Sequence, residues 1–280
     1  MNKLDSMFSC SSKELTFLCS LIGGSSIFGI KDPFLGLSDE DIKKEWDVVR
    51  DSLSKKKFIT INPDDSIILD KTVSTVLTAC CFCDMCVIVN YSSLNGESID
   101  HCFYISQYLA VEMMVIYKEE DILCSFGVLP DSGSIYDRVQ DIMHVDDHIN
   151  TQGKSGTIKE STLSQVKKLL NSSDTEKAHS LLESAGFESA DAKAISNALL
   201  APQSHKVFVV MKFKDDAGGD ASGFALLKGE KGIWKLNSLI MEEESWVEIT
   251  PYNNEHLNKD ILLEISDISS IYSPVIKEKA

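Results

Sequence analysis

The sequence predicts an α+β fold built from two pseudo-repeated four-stranded antiparallel meanders, and three observations carry that expectation. Helical and strand periodicities fall in separate blocks rather than alternating along the chain. The same block order, helices then four strands then a helix, occurs twice. Landmarks of the two blocks also keep one spacing. Cys86 and Val207 open the first strands, Phe103 and Phe224 sit in the second, and Pro130 and Pro251 end the fourth, each pair 121 residues apart. Leu77 and Ala198, in the helices before the meanders, share that separation. Residue identity between the halves is slight, so the repeat is one of pattern. A duplication explains it, and so does a chance alignment of two α+β modules of similar size.

Residues 1–84 read as helix, helix, β-hairpin, helix, an order that resembles a winged-helix unit. Ser11-Ser12-Lys13-Glu14 has capping-box spacing, and Leu15, Leu18, Cys19 and Ile22 line one helical face before Gly23-Gly24 stops it. Ser38 starts the second helix, with Asp39, Glu40 and Asp41 at its positive end and Ile42, Trp46, Val49 and Leu53 as its apolar stripe. Residues 58–61 and 67–69 flank the turn Asn62-Pro63-Asp64-Asp65-Ser66. Val73, Val76, Leu77 and Cys80 form a third apolar face. Four strand-like segments follow, Met85 to Tyr91, His101 to Ser106, Val111 to Tyr117 and Ile122 to Val128, with turns at Asn95-Gly96 and Glu119-Glu120-Asp121. A helix around Ile135, Val139, Ile142 and Met143 closes the block.

Asn150 to Gly156 is small, polar and free of apolar residues, and reads as a linker. Beyond it, Thr157-Ile158-Lys159-Glu160 and Ser173-Asp174-Thr175-Glu176 have capping-box spacing, Gly186 is placed to end the second helix, and Ser189 opens a third that ends before Pro202. Strands return at Val207 to Phe213, Ser222 to Leu227, Ile233 to Met241 and Ser245 to Thr250. A last helix carries Leu257, Ile261, Leu262 and Ile265. The expected organisation is therefore 1–150 and 157–280, the halves packed into one domain. Each meander has an apolar face to cover, so one continuous sheet, or two joined edge to edge, is expected, with helices on one face and at the ends.

The 280 residues carry a formal charge of −16, unevenly spread. Lys and Arg against Asp and Glu number 10 and 13 in residues 1–84, 2 and 11 in 85–150, and 15 and 19 in the remainder. Nucleic acid and anionic lipid need clustered cations, so the acidic centre argues against both partners. No long uncharged apolar run predicts a membrane span, and Asp5 with no apolar stretch after it argues against a cleavable signal. A soluble, cytoplasmic protein is expected. Cys10, Cys19, Cys80, Cys81, Cys83, Cys86, Cys102 and Cys124 lie mostly inside apolar runs, as buried free thiols do, and disulfides are not expected there.

Each chemical constellation has a plainer structural reading. Cys83 and Cys86 have CxxC spacing, yet a closed metal site needs about four ligands and no second motif supplies them. His144-Val145-Asp146-Asp147-His148 puts two histidines four apart without the HExxH glutamate, at a helix end where solvated polar residues are common. No GxSxG, P-loop or GxGxxG occurs, and Ala217-Gly218-Gly219-Asp220 reads as a hairpin turn. No catalytic residue, metal or cofactor is therefore assigned. The helix in the DNA-reading position, Thr72 to Cys83, carries no Lys or Arg after Lys71, and Lys55-Lys56-Lys57 reads as a helix C-terminus. Trp234, Trp246 and Phe224 are the candidate partner-binding residues, chosen by residue type, because tryptophan is enriched at binding hot spots.

The order of an N-terminal winged-helix-like unit, two pseudo-repeated meanders and an interposed helical bundle resembles the EspG-type chaperones of type VII secretion. The opening Lys13-Glu14-Leu15-Thr16-Phe17-Leu18, followed by a loop and a second helix, has the same character. The resemblance implies a cytoplasmic, non-enzymatic protein that binds helical secretion substrates, shields their apolar tips and needs no cofactor. Those substrates would dock on the sheet face or on the helices of residues 157–200. A winged-helix regulator with a sensor domain, and an enzyme with a scattered site, are the competing expectations. Edge strands able to pair with a second copy leave a homodimer open.

Overall fold

A computed structural model describes residues 6–24, 27–93, 98–117, 122–144, 151–214 and 218–272. The expected turns at Asn95-Gly96 and Glu119-Glu120-Asp121, and Val145 to His148, lie outside them. The first half runs β1 (Phe8–Ser11), α1 (Ser12–Leu21), α2 (Asp39–Lys55), β2 (Ile59–Ile61), β3 (Ile67–Leu69) and α3 (Lys71–Cys81). Its meander is β4 (Met85–Ser93), β5 (Ser98–Ile105), β6 (Ala110–Tyr117) and β7 (Ile122–Leu129), closed by α4 (Ser132–Met143). The second half runs β8 (Gly156–Lys159), α5 (Glu160–Asn171), α6 (Thr175–Ser184) and α7 (Ser189–Leu200). Its meander is β9 (Ser204–Lys214), β10 (Gly218–Lys228), β11 (Ile233–Met241) and β12 (Glu244–Pro251), closed by α8 (Asn254–Glu264) and α9 (Ile268–Ile271).

Both meanders belong to one ten-stranded sheet of order β1-β7-β6-β5-β4-β9-β10-β11-β12-β8, and β2-β3 forms a separate hairpin. The halves meet through antiparallel β4 and β9, where Ile88 pairs with Val209. Those two residues are themselves 121 apart, so the pair marks a pseudo-dyad of the sheet. Register is kept as well: Met85 pairs with Ile105, and Lys206 with Leu226, each residue of the second pair lying 121 beyond its counterpart. Two four-residue strands, β1 and β8, cap the sheet and each leads directly into a helix. Such short edges leave few unpaired backbone groups.

Helices cover both faces, not one face and the ends as the sequence suggests. Cys86, Cys102, Tyr104, Met113 and Phe126 pack with α1, α2 and α3 in one core. Their strand neighbours Met85, Val87, Phe103 and Ile105 point the other way and join Phe208, Phe224 and Ile233 under α4, α8 and α9. Leu227, Trp234, Val247 and Ile249 return to the first face, beneath α5, α6 and α7. Each meander has apolar residues on both sides, and a sheet buried on both sides needs two helical layers.

Local chemistry explains the helix ends. Ser11 and Glu14 form a reciprocal capping box, the Glu14 carboxylate accepting from Ser11 N at 2.8 Å and the Ser11 hydroxyl from Glu14 N at 3.2 Å. Glu14 is buried, which raises its pKa, but bonds from Lys56 (2.6 Å) and Ser52 (2.7 Å) outweigh that and hold it below the usual value. Gly23, at φ 78°, ends α1 as expected. Two expected caps are corrected. Thr157 to Lys159 are strand, with Ile158 buried and paired to Val247, so α5 starts after Lys159 and has no side-chain cap. The cap of α6 is Asp174, not Ser173.

The expected linker is also corrected over its described part, residues 151–156. Thr151 Oγ1 accepts from Ile233 N at 2.7 Å, Lys154 N donates to Asp191 at 3.1 Å, and Gly156 belongs to β8. Gly218 and Gly219, expected in a hairpin turn, are strand residues paired with Lys214 and Phe213. Leu262, expected on the apolar face of α8, is exposed.

Candidate functional site

A groove of about 720 Å³ lies along the second meander, its strand floor mostly on the first face. Alternation along the strands sets its floor. Val207 and Val209 come from β9, Gly223 and Ala225 from β10, Leu236 and Ser238 from β11, and Val247 from β12. One wall is α5, through Glu160, Leu163, Ser164 and Lys167. Opposite, the β9 side chains on this face continue to Met211 and Phe213, and Phe213 stacks with Phe28 at 4.8 Å between centroids. The groove therefore runs beside α5, and along β9 the same sheet face continues toward the Phe28–Phe213 stack. Ile240, 84% exposed, continues the Leu236–Ser238 line toward the tip of the β11–β12 hairpin.

The floor shows why these strands fold so close. A Cβ on Gly223 would lie 2.1 Å from the carbonyl oxygen of Phe208, so only glycine permits this approach of β10 to β9. Small residues at 221, 223 and 225 leave the face flat. Beside it, a smaller concavity is lined by Lys159, Glu160, Ser164 and Glu244, with Lys159 bonded to Glu244 at 2.5 Å. The rim carries both signs of charge: Glu160 and Glu264 against Lys167. Burial, with Lys167 nearby, lowers the pKa of His205 on the rim.

The three residues chosen by type do not come together. Trp234, 1% exposed, is sealed beneath α5–α7, and Phe224, 5% exposed, borders the groove but packs against Phe208 and Tyr252 in the core of the opposite face. Both side chains are interior, because each points into a helical layer that closes over it. Trp246 is half-buried on the reverse face from the groove, with Lys159 Nζ 5.5 Å from its ring centre. The groove residues were missed for want of a conspicuous type. Their signal is the unbroken apolar run Val207-Phe208-Val209-Val210-Met211, which has too many apolar side chains for a strand with one wet face.

The cysteine constellation lies in the core. Cys80, Cys83 and Cys86 are buried, and burial pushes Cys83 up to about 12. Among the described residues no three Cys, His, Asp or Glu side chains converge to hold a metal. His101, Glu112 and Arg138 form a buried chain between β5, β6 and α4, with bonds of 2.7 and 2.9 Å to the Glu112 carboxylate. Burial raises the Glu112 pKa, and those two partners more than offset it. The buried face of α3, Val73, Val76, Leu77, Ala79 and Cys80, packs into the first core. No helix of the described residues is long and apolar enough to cross a membrane.

A two-sided ten-stranded antiparallel sheet with short edge strands, a pseudo-dyad at its centre and a three-helix bundle between its halves is the fold of the EspG-type chaperones of type VII secretion. It matches the structure of the Mycobacterium tuberculosis type VII secretion system chaperone EspG5 in complex with the PE25–PPE41 dimer. The TM-score is 0.62 at 16% identity, over 93% of this chain and 96% of that one. The full-length peroxisomal multifunctional enzyme type 2 of Drosophila melanogaster, at TM-score 0.18, 15% identity and 88% and 47% coverage, carries no structural argument. No family pattern and no curated protein sequence matches the chain.

Proposed function

We propose that this protein is a non-enzymatic, cytosolic chaperone or adaptor of a type VII (ESX-like) secretion system, and that its groove receives the apolar end of a helical secreted protein. One observation carries the reading: Val207, Val209, Leu236 and the exposed Ile240 make an apolar strip on a sheet face that the helices of the described residues leave open. An open, flat-floored trough with an apolar centre and a charged rim suits a protein surface. A small substrate would need closer enclosure and converging polar groups. A helix is about 10 Å across, comparable to the layer that α-helices occupy on a sheet, so it can complete the layer between α5 and the Phe28–Phe213 stack. The EspG5 chaperone is in complex with a PE25–PPE41 dimer, and a secreted partner for this chain is inferred by that analogy.

The test is co-expression with the small helical proteins encoded beside its gene, followed by size-exclusion chromatography. A stoichiometric complex is expected, and Val209→Glu or Ile240→Glu should abolish co-elution while circular dichroism stays unchanged. Failure to co-elute with any of those proteins would sink the secretion reading.

A further inference from the structure

The eight thiols of the chain all gather in the first half, and one pair among them is unlike the rest. Cys81, the last residue of α3, is half-exposed, whereas the other seven are buried. Its sulfur lies against the end of α1. A Cβ placed on Gly24 would sit 2.7 Å from Cys81 Sγ and 3.4 Å from the carbonyl oxygen of Cys19, so the two helix ends meet at that point. The Gly24 N–H is bonded to that same carbonyl at 2.9 Å, fixing the turn over Cys81. Cys19 in turn lines a small cavity of about 40 Å³ with Leu15, Ile27, Ile30 and Lys31, so its side has room to move.

We propose that Cys19 and Cys81 are an oxidation site for hydroperoxides, closing to a disulfide that ties the end of α1 to the end of α3. The Cys81 thiolate attacks one oxygen of hydrogen peroxide; the O–O bond breaks, and the leaving hydroxide takes a proton to become water. Cys81 is then a sulfenic acid. The Cys19 sulfur attacks it, the S–S bond forms, the S–O bond breaks, and the second hydroxide leaves as water with the Cys19 proton. Two thiols lose two electrons, and one peroxide becomes two waters. The electrostatics fit these roles: a hydrogen bond from Cys19 favours the Cys81 thiolate and lowers its pKa, while that bond and burial raise Cys19. Cys81 is therefore the attacking thiol and Cys19 the resolving one. The linkage would restrain the connector 22–38, whose Phe28 stacks on Phe213 beside the groove.

Equimolar hydrogen peroxide is added to the folded full chain, free thiols are then alkylated in denaturant, and peptides are mapped by mass. A Cys19–Cys81 linked peptide, lighter by two hydrogens, is expected, with the other six cysteines alkylated and the urea midpoint shifted upward. In Cys19→Ser the sulfenic acid on Cys81 persists and is trapped by dimedone. Without any substitution, iodoacetamide on the native chain must label Cys81 before every other cysteine. Faster labelling at another thiol, or a first linkage among Cys80, Cys83 and Cys86, overturns the proposal. The outcome is independent of the groove's occupant.

Discussion

The two halves of the sheet share strand order and, in their first hairpins, register, yet they treat the same surface in opposite ways. In the first half Cys102, Tyr104, Met113 and Phe126 fill that surface, all of them fully buried. The residues in equivalent places in the second half are Gly223, Ala225, Ser238 and Val247. Covering segments differ to match. Between α1 and α2 lies a long connector, whose Ile27 packs into the core of the first meander and whose Phe28 carbonyl accepts from the Tyr104 hydroxyl at 2.5 Å, while the Phe28 ring stacks on Phe213 of β9. Between α5 and α6 only residues 172–174 intervene, and among the described residues nothing of that kind reaches the floor. A duplicated backbone therefore yields core or groove according to side-chain volume and the length of one loop.

The largest effect should come from exchanging the two fillings. Tyr104→Ala removes a buried aromatic ring and its bond to Phe28, and should cost about 3–5 kcal/mol in urea unfolding. The reverse change, Ala225→Tyr, places the same ring over an open floor and should alter stability by about 0.5 kcal/mol or less. It should nevertheless abolish partner co-elution by occupying the groove. A Tyr104→Ala cost below about 1 kcal/mol would mean that the two surfaces are not core and groove at all.

Lys206 offers a second exchange, because its counterpart 121 residues earlier is Met85. Lys206 is 8% exposed, and its ammonium donates to the carbonyls of Ile142 and His144 at the end of α4. Burial, and to a lesser degree Lys228, lowers its pKa to about 8. The folded value thus lies below the unfolded one, so between the two the unfolded chain binds more protons and stability rises with pH. Below about 8 both states are protonated and the penalty is constant. Relative to Lys206→Met, the native chain should therefore gain up to roughly 3 kcal/mol on going from pH 8 to above pH 10. Parallel stability curves for the two proteins would show that Lys206 titrates normally.

The next effect concerns the floor itself. Gly223→Ala puts a Cβ against the Phe208 carbonyl and should destabilise by about 1–3 kcal/mol, seen as a lower urea midpoint. An unchanged midpoint would show that β10 can withdraw from β9.

The meanders were legible because strands buried on one or both sides advertise themselves through alternation and unbroken apolar runs, as at Ile122-Cys124-Phe126-Val128. The edge strands were not. Phe8–Ser11 and Gly156–Lys159 are each too short for a period to register, and Thr157-Ile158-Lys159-Glu160 imitates a capping box because spacing alone cannot tell a threonine in a strand from one at a helix start. Only the pairing of Ile158 with Val247 decides it. The groove was illegible for a related reason. It is made of absences, small residues and a short loop, which carry meaning only against the filled half. Residue type points instead to aromatic side chains, and Trp234 and Phe224 are covered by helices whose packing no residue type discloses.

The smallest predicted effect lies at the tip of the β11–β12 hairpin, where the groove floor ends. Met241 pairs with Glu244, so Glu242 and Glu243 form a two-residue loop with φ of 52° and 68°. Both central residues thus adopt the left-handed conformation of a type I′ turn, which favours asparagine and glycine over glutamate. Strain of this kind, next to an Ile240 left almost wholly in water, is a local cost that folding alone does not explain. Replacing the loop by Glu242→Asn and Glu243→Gly should stabilise the chain by about 1 kcal/mol in urea unfolding, with the strand register unchanged. If stability instead falls, the carboxylates make contacts that outweigh the strain, and the hairpin is a structural lip. If it rises while partner binding weakens, the acidic loop is part of the docking surface, and the open half of the molecule differs from the filled half in charge as well as in volume.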